Sequence, residues 1–360
     1  MRALILAAGS FGETMRQGIE AGREPRLDVF EIAERLGADL LDFDDALKSA
    51  SLPVKGALRA LGPSAALAML GFLRRDNYDV ILTTGEDIGI PLAALLRPTE
   101  SPVAHALIAH TLAPRKKRIF FELFSVEKRI DHVLAYARTE ERLMLDELGF
   151  EEQQVQRIYY HADDQFFRPS DEPPQPDLLC AAGQLLRDYD CLAEAVRGLP
   201  VRVQIAAGSP WIQKELNPSQ DLPENVSWGK MNRYDLRALY GRSALAVVPI
   251  KQNVYQTGIA TILEMMSMGK CVIATRTTGQ TDTIVDGVTG VYVPPHDPAA
   301  LRAAIEKYLN APEEAARIGR AAREFIEREA GLNLFVDRVI GAMERALAYR
   351  QAKLLGHAPS

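Results

Sequence analysis

Short apolar runs of strand length recur along the chain, separated by stretches with helical periodicity. The first, 2–8, ends in Gly9-Ser10-Phe11-Gly12, the form taken by a buried parallel strand that turns into a helix. Further runs at 38–43, 80–84, 103–110, 132–137 and 156–161 predict strands, with helices such as 63–75 and 140–148 between them. Positions 168–177, RPSDEPPQPD, hold four prolines in ten residues and no apolar period, which predicts a linker. The alternation then restarts with strands at 178–182, 201–207, 226–228, 244–250, 271–275 and 291–293. Helices are expected over 189–198, 235–240, 258–268, 298–309 and 312–329. Strand and helix in strict alternation predict the α/β class, here two doubly wound, Rossmann-like domains facing each other across a cleft. Their expected bounds are 1–170 and 171–335, with a terminal helix over 336–360 whose apolar start suits packing back on the first domain.

The stretch 255–269, YQTGIATILEMMSMG, stands out. From Gly258 it is apolar on nearly every side, as a buried helix is, yet it carries Glu264. A buried carboxylate is costly unless something binds it. The helix start at Thr257, Gly258 and Ile259 offers free N–H groups and a positive dipole end. Together they predict an anion at the helix mouth and hydroxyl groups one or two turns in.

Size and composition agree with this outline. A chain of 360 residues is long for one core and comfortable for two. A net charge of −6 gives no electrostatic reason to expect a nucleic-acid partner. Cys180, Cys191 and Cys271 are an odd set without metal spacing in apolar surroundings, which predicts reduced core thiols and a cytoplasmic protein. The N-terminal apolar run is too short for a secretory signal, and no run approaches the roughly 18 apolar residues that span a bilayer.

Two loops carry further candidate chemistry. Gly9 and Gly12 end the first strand, where glycine lets a ligand approach the backbone; a plain tight turn explains them equally well. An acid at Asp39, Asp42 or Asp44 could hold the ribose of NAD(P), as in an oxidoreductase, but the G-x-G-x-x-G fingerprint is absent. The loop after the seventh strand, Gly183 to Tyr189, contains Arg187, a natural partner for phosphate or, in the simpler reading, for Asp188 or the loop itself.

The run 258–295, GIATILEMMSMGKCVIATRTTGQTDTIVDGVTGVYVPP, resembles the nucleotide-sugar-binding half of the retaining glycosyltransferases of family 4, which have the GT-B fold. Positions 143–169 and 183–189 are similar to that family as well, and the likeness covers roughly residues 130 to 330. It implies a hexosyltransferase that retains anomeric configuration, with a nucleotide-diphosphate sugar as donor substrate, UDP-glucose by default, and no metal. The acceptor is a hydroxyl on a small molecule, glycan or lipid. By this resemblance Glu264 binds the nucleotide ribose, an internal ion pair being the alternative, and Arg187 with Thr257, Gly258 and Ile259 binds the diphosphate. Gln184 and Asp188 replace a common family arginine and lysine. Gln256 replaces a glutamate beside the transferred sugar, so a catalytically impaired sugar-nucleotide-binding protein is the second reading. His110 stands where the family places a histidine touching the donor sugar, whereas His105, mid-strand, is expected in the core. Finally, 114–129, PRKKRIFFELFSVEKR, is either a basic amphipathic segment resting on an anionic membrane face or a helix buried by its aromatics.

Overall fold

The computed structural model describes residues 1–208 and 222–356; the last positions of the expected terminal helix, 357–360, lie outside the described residues. Each expected run overlaps a strand: β1 (Ala3–Leu6), β2 (Asp39–Leu41), β3 (Val80–Thr83), β4 (Ala104–Ala109), β5 (His132–Ala135), β6 (Val155–Arg157), β7 (Gln175–Ala182), β8 (Arg202–Ala206), β9 (Val226–Gly229), β10 (Ser243–Val248), β11 (Val272–Thr275) and β12 (Val291–Val293), with β6 sharing only its last two residues with 156–161. They form two six-stranded sheets, β2-β1-β3-β4-β5-β6 and β12-β11-β10-β7-β8-β9. Every pairing is parallel. β1, β3, β4 and β5 are buried at every position, which is why they read as unbroken apolar runs. The two polar residues inside β3 and β4 satisfy each other: Thr83 Oγ1 lies 2.9 Å from His105 Nε2, and His105 Nδ1 lies 3.2 Å from Arg129 O.

The chain divides into two compact units. One comprises residues 1–17, 26–158 and 333–360, the other 18–25 and 159–332. The division near 158 precedes the expected boundary at 170 because 159–167 is bonded into the second unit. There Ala162 N donates to Ala330 O at 3.0 Å, Phe166 and Phe167 join the core, and Arg323 Nη1 donates to Asp164 O and Phe167 O at 3.0 and 3.1 Å. The proline-rich stretch is also shorter as a linker than expected, since β7 starts at Gln175. Pro176 is tolerated there because it falls where the register with β10 shifts, between Ser243 and Leu245.

In the first unit the helix Leu332–Leu354 contributes Phe335, Val336, Val339, Ala342, Met343, Ala346 and Tyr349 to the buried set, a spacing of three and four that makes one apolar face. Polar contacts fix its register: Arg35 Nη2 donates to Asn333 Oδ1 at 2.9 Å and Arg350 Nη2 to Ser101 O at 2.6 Å.

Strand order locates the loops that matter. Counting from β7, the second sheet runs 3-2-1-4-5-6 and reverses direction between β7 and β10; the first reverses between β1 and β3. In open α/β sheets, ligands bind outside the carboxyl ends of the strands at such reversals. At these ends lie Gly183 to Asp188 and Pro249 to Gly258 in the second unit, and Ala7 to Gly12 in the first.

Candidate functional site

In the second unit the loops after β7, β10 and β11 are knitted together by backbone. Asp188 N donates to Pro249 O at 3.0 Å and Lys251 N to Leu186 O at 2.9 Å; Arg187 and Ile250 form an isolated antiparallel bridge. Asn253 Oδ1 accepts from Tyr255 N at 2.9 Å and from Thr257 Oγ1 at 3.1 Å, while Gln280 Nε2 donates to Thr257 O at 3.2 Å. Gly279 is required by this packing, because a Cβ there would lie 2.6 Å from Val254 C. The result is a braced approach to the helix Ile259–Ser267, whose first turn has no intrahelical acceptor for its N–H groups. Gly258 enters it at φ 83°, a left-handed conformation that glycine adopts without strain.

Arg187 sits beneath this mouth and is buried. Its Nε donates to Ala182 O at 2.9 Å, Nη1 to Leu185 O at 2.9 Å and Nη2 to Thr261 Oγ1 at 3.2 Å. It does not pair with Asp188, which instead caps the helix Tyr189–Val196 through Cys191 N and meets His296 Nδ1 at 2.7 Å. Three of its five N–H donors are thus committed to the loop. Burial holds its pKa below the usual arginine value. A side chain at Gly258 would crowd it, with a Cβ 3.1 Å from Nη1. Gln184, at a position where the resemblance expects an arginine, turns toward β8 and donates to Ala207 O at 3.4 Å.

Glu264, one turn into the helix, is 7% exposed. Oε1 accepts from Arg233 Nη1 at 2.9 Å, and Oε2 lies 3.4 Å from the Tyr240 hydroxyl. The internal ion pair weighed against a ribose is therefore present, with one oxygen only weakly engaged. Burial raises the Glu264 pKa against the opposing pull of Arg233. Nothing in the sequence pointed to Arg233, which begins a helix capped by Asn232 and reaches the carboxylate across 31 positions. Gln256, half-buried just before the helix, lies beside Thr257 in the braced approach.

In the first unit, Gly9 and Gly12 flank a turn held by carboxylates: Phe11 N donates to Asp42 Oδ2 at 2.8 Å and Ser10 Oγ to Asp44 Oδ1 at 2.8 Å. Asp42 also caps the helix Phe43–Lys48, and Asp39 accepts from the Tyr78 hydroxyl at 2.6 Å, so all three acids proposed for a ribose have internal partners. A Cβ at Gly12 would meet no atom within 4 Å, and no crowding explains that glycine.

His110 follows β4. Its backbone N donates to Glu86 Oε2 at 2.8 Å, its Nε2 lies 3.1 Å from Thr84 O, and its ring lies 5.4 Å from that of Tyr136. Lys117 Nζ donates to Glu86 Oε1 at 2.6 Å. Burial alone would raise the Glu86 pKa, but neighbouring His110 and Lys117 bring it below the ordinary glutamate value. His105 is fully buried, and burial with Arg129 nearby lowers its pKa to about 3, as befits a core histidine.

Lys117 belongs to the helix Arg115–Phe124, which settles how its aromatics are used. Only Phe121 is buried; Ile119, Phe120, Leu123 and Phe124 are 40, 38, 71 and 53% exposed and form one outward stripe. The expectation of a helix buried by its aromatics is corrected on this point, because spacing of one and four places these residues opposite Phe121. The basic start is divided as well: Arg118 pairs with Glu147 and Lys117 with Glu86, while Arg115 and Lys116 are exposed.

Among the described residues no group of three or more His, Cys, Asp or Glu side chains is placed to hold a metal ion, and no helix is long and apolar enough to cross a membrane. The three cysteines are free thiols; Cys180 and Cys271 are buried.

No curated protein matches the sequence. Residues 165–325, which contain Arg187, Gln256 to Ile259 and Glu264, match the family model described as glycosyl transferases group 1. Among solved structures, a sucrose-phosphate synthase from Thermosynechococcus elongatus aligns with a TM-score of 0.70 at 16% identity, covering 96% of this chain and 99% of that one. Anabaena HepE, in a complex with UDP and glucose, aligns at 0.68 and 14%, covering 96% and 99%. An E. coli trehalose-6-phosphate structure bound with UDP-2-fluoro glucose aligns at 0.68 and 10%, covering 95% and 99%. The chain therefore has the two Rossmann-like domains of the GT-B glycosyltransferase fold, with the group 1 glycosyl transferase signature carried by its second unit.

Proposed function

We propose that this protein transfers a hexose from a nucleotide-diphosphate sugar, UDP-glucose by default, to a hydroxyl acceptor with retention of configuration. The observation that carries the reading is the braced helix mouth at the β7/β10 reversal, inside the segment that matches the group 1 glycosyl transferases. The diphosphate would lie on the N–H groups of Ile259 and its neighbours and near the remaining donors of Arg187, where positive potential stabilises a leaving group as the glycosidic bond breaks. Glu264 Oε2 would accept a ribose hydroxyl, its Oε1 remaining with Arg233. In the second unit Gln256 would hydrogen-bond the transferred sugar without supplying negative charge, and in the first unit His110 is proposed to hydrogen-bond a sugar hydroxyl. Bound UDP-sugars in structures of like fold support the choice of donor.

A thermal-shift panel of UDP-, GDP- and ADP-linked sugars tests this, since a ligand that binds the native state raises the midpoint by mass action. One class should raise it in a dose-dependent way and support turnover. Binding without turnover toward any acceptor or water would favour the second reading, a sugar-nucleotide-binding protein impaired by Gln256. A shift with NAD(P) alone would replace both with an oxidoreductase.

The acceptor side extends the proposal to an anionic membrane. The outward stripe of Ile119, Phe120, Leu123 and Phe124, flanked by exposed Arg115 and Lys116, has the composition of a helix lying in a lipid interface. Co-sedimentation with vesicles containing phosphatidylglycerol, and its loss on Leu123→Glu with Phe124→Glu, is the expected result; equal sedimentation of the variant would remove the membrane from the proposal.

A further inference from the structure

The turn from His110 to Leu112 is held in an unusual way. Its three consecutive backbone N–H groups all end on carboxylates: His110 N on Glu86 Oε2 at 2.8 Å, Thr111 N on Glu86 Oε1 at 3.3 Å, and Leu112 N on Glu140 Oε2 at 2.9 Å. Glu140 Oε1 also accepts from Thr111 Oγ1 at 2.8 Å. Glu86 is 4% and Glu140 8% exposed, and they come from different helices, Glu86–Leu96 and Arg138–Asp146. Lys117 Nζ reaches Glu86 Oε1 at 2.6 Å, Asp87 Oδ1 at 3.3 Å and Thr111 O at 3.4 Å. Burying two carboxylates around one turn is costly. Solvent would satisfy the same N–H groups in an exposed loop, so the cost is offset only if the position of the turn matters.

The side chain of His110 shows what is being positioned. Its Nε2 lies 3.1 Å from Thr84 O. A carbonyl can only accept, so this contact assigns a proton to Nε2, and in the neutral form of the ring Nδ1 then carries the lone pair. Thr84 and Glu86 lie two positions apart after β3, and together they fix the ring and the backbone of one residue. We infer that Glu86 is a positioning residue for His110, holding it with Nε2–H on Thr84 O so that Nδ1 of the neutral ring can accept a hydrogen bond from a sugar hydroxyl, and that Lys117 keeps Glu86 in place. The inference deepens the proposed transferase function and rests on it for the role of Nδ1.

The test uses the full chain with isotope-labelled histidine and long-range proton–nitrogen NMR spectra, which distinguish tautomers. The His110 signal is identified by its loss in His110→Ala. The wild type should show the Nε2–H pattern there. Glu86→Gln, which places an amide donor against the N–H groups of the turn, should move that pattern and leave His132 unchanged. A His110 signal that superposes on the wild type in Glu86→Gln overturns the inference. With the sugar nucleotide that gives turnover in the panel above, Glu86→Gln should lower kcat about tenfold with donor KM unchanged. The double variant Glu86→Gln/His110→Ala should then be no worse than His110→Ala; additive losses would mean that Glu86 acts elsewhere and would overturn the inference. If His110→Ala leaves turnover intact, the role of His110 in transfer falls, while the NMR result still decides whether Glu86 positions it. Should Glu86→Gln fail to fold, Lys117→Met keeps both backbone bonds to Glu86 and is expected to move the same signal by a smaller amount; no movement there overturns the inference.

Discussion

Glu264→Gln separates the two partners that this carboxylate can have. The substitution keeps size and one acceptor oxygen but removes the charge facing Arg233 Nη1 at 2.9 Å and the acceptor 3.4 Å from Tyr240. A hydrogen bond to an ionised acceptor contributes about 1.5–3 kcal/mol, so loss of a ribose contact should weaken UDP binding by roughly 10- to 150-fold. The Arg233 side chain is 30% exposed and regains water when its partner goes, so the protein should stay folded with a modest fall in Tm. Calorimetry with UDP and with its 2′,3′-dideoxy analogue isolates the contact: the wild type should prefer UDP, and the variant should bind the two nearly alike. Burial raises the Glu264 pKa, so the preference should weaken as pH falls through that raised value and the carboxylate becomes neutral. The same UDP preference in variant and wild type would refute the ribose assignment and leave Glu264 only as the partner of Arg233.

Three other outcomes follow from the packing. Burial, with Arg129 and Arg345 nearby, holds His105 at about 3 and His132 at about 4, so both stay neutral in the fold while their unfolded forms charge below about 6.5. Stability from a depressed histidine pKa is present at neutral pH and lost on acidification; between pH 7 and pH 5 each site should cost about 2 kcal/mol in urea unfolding, and a combined loss under about 1 kcal/mol would contradict this. Gly279→Ala must displace the 253–258 loop, because its Cβ meets backbone there, and should abolish UDP binding; Gly319→Ala, whose Cβ would fall 2.9 Å from Gly269 C, should destabilise by about 1–3 kcal/mol without altering the site, and equal affinities in the two variants would break the link to the mouth. Arg187→Ala should lower turnover at least about tenfold and also destabilise by about 2–4 kcal/mol, since it strands Ala182 O and Leu185 O; lost turnover at wild-type stability would contradict its bracing role.

The sheets were legible because parallel strands covered on both faces must be apolar at every position, and in β3 and β10 the run stops where a turn begins. The helices Asp28–Leu36, Leu52–Leu61 and Glu86–Leu96 were not placed in advance. The last is apolar nearly throughout and carries Pro91, so neither its period nor its composition marks it as a helix. The boundary was misplaced for a related reason: prolines at 169, 173, 174 and 176 show where regular structure is interrupted, not which core the preceding residues join. Phe166 and Phe167 decide that question, and their contacts with the second unit's core are distant in sequence.

The candidate site was legible in the local backbone that frames it and not in the partners of its charges. A helix preceded by Thr257-Gly258 advertises its free N–H groups locally, whereas a charged side chain says nothing of a partner 31 positions away, the separation both of Glu264 from Arg233 and of Glu86 from Lys117. Arg187 makes the consequence concrete. Its hydrogen-bond acceptors are neutral, two carbonyls and a hydroxyl, so it is a buried cation placed beside the positive end of a helix. Glu264 offsets part of that charge but is already paired with Arg233 at 2.9 Å, so the two positive features are only partly compensated and become more favourable when an anion arrives. Such a pair organises the loop by its own hydrogen bonds, and an anion bound there, as proposed, would relieve the remaining electrostatic cost. The bracing of Arg187 and the proposed diphosphate at the Gly258 mouth are therefore compatible consequences of one arrangement rather than competing explanations of one residue.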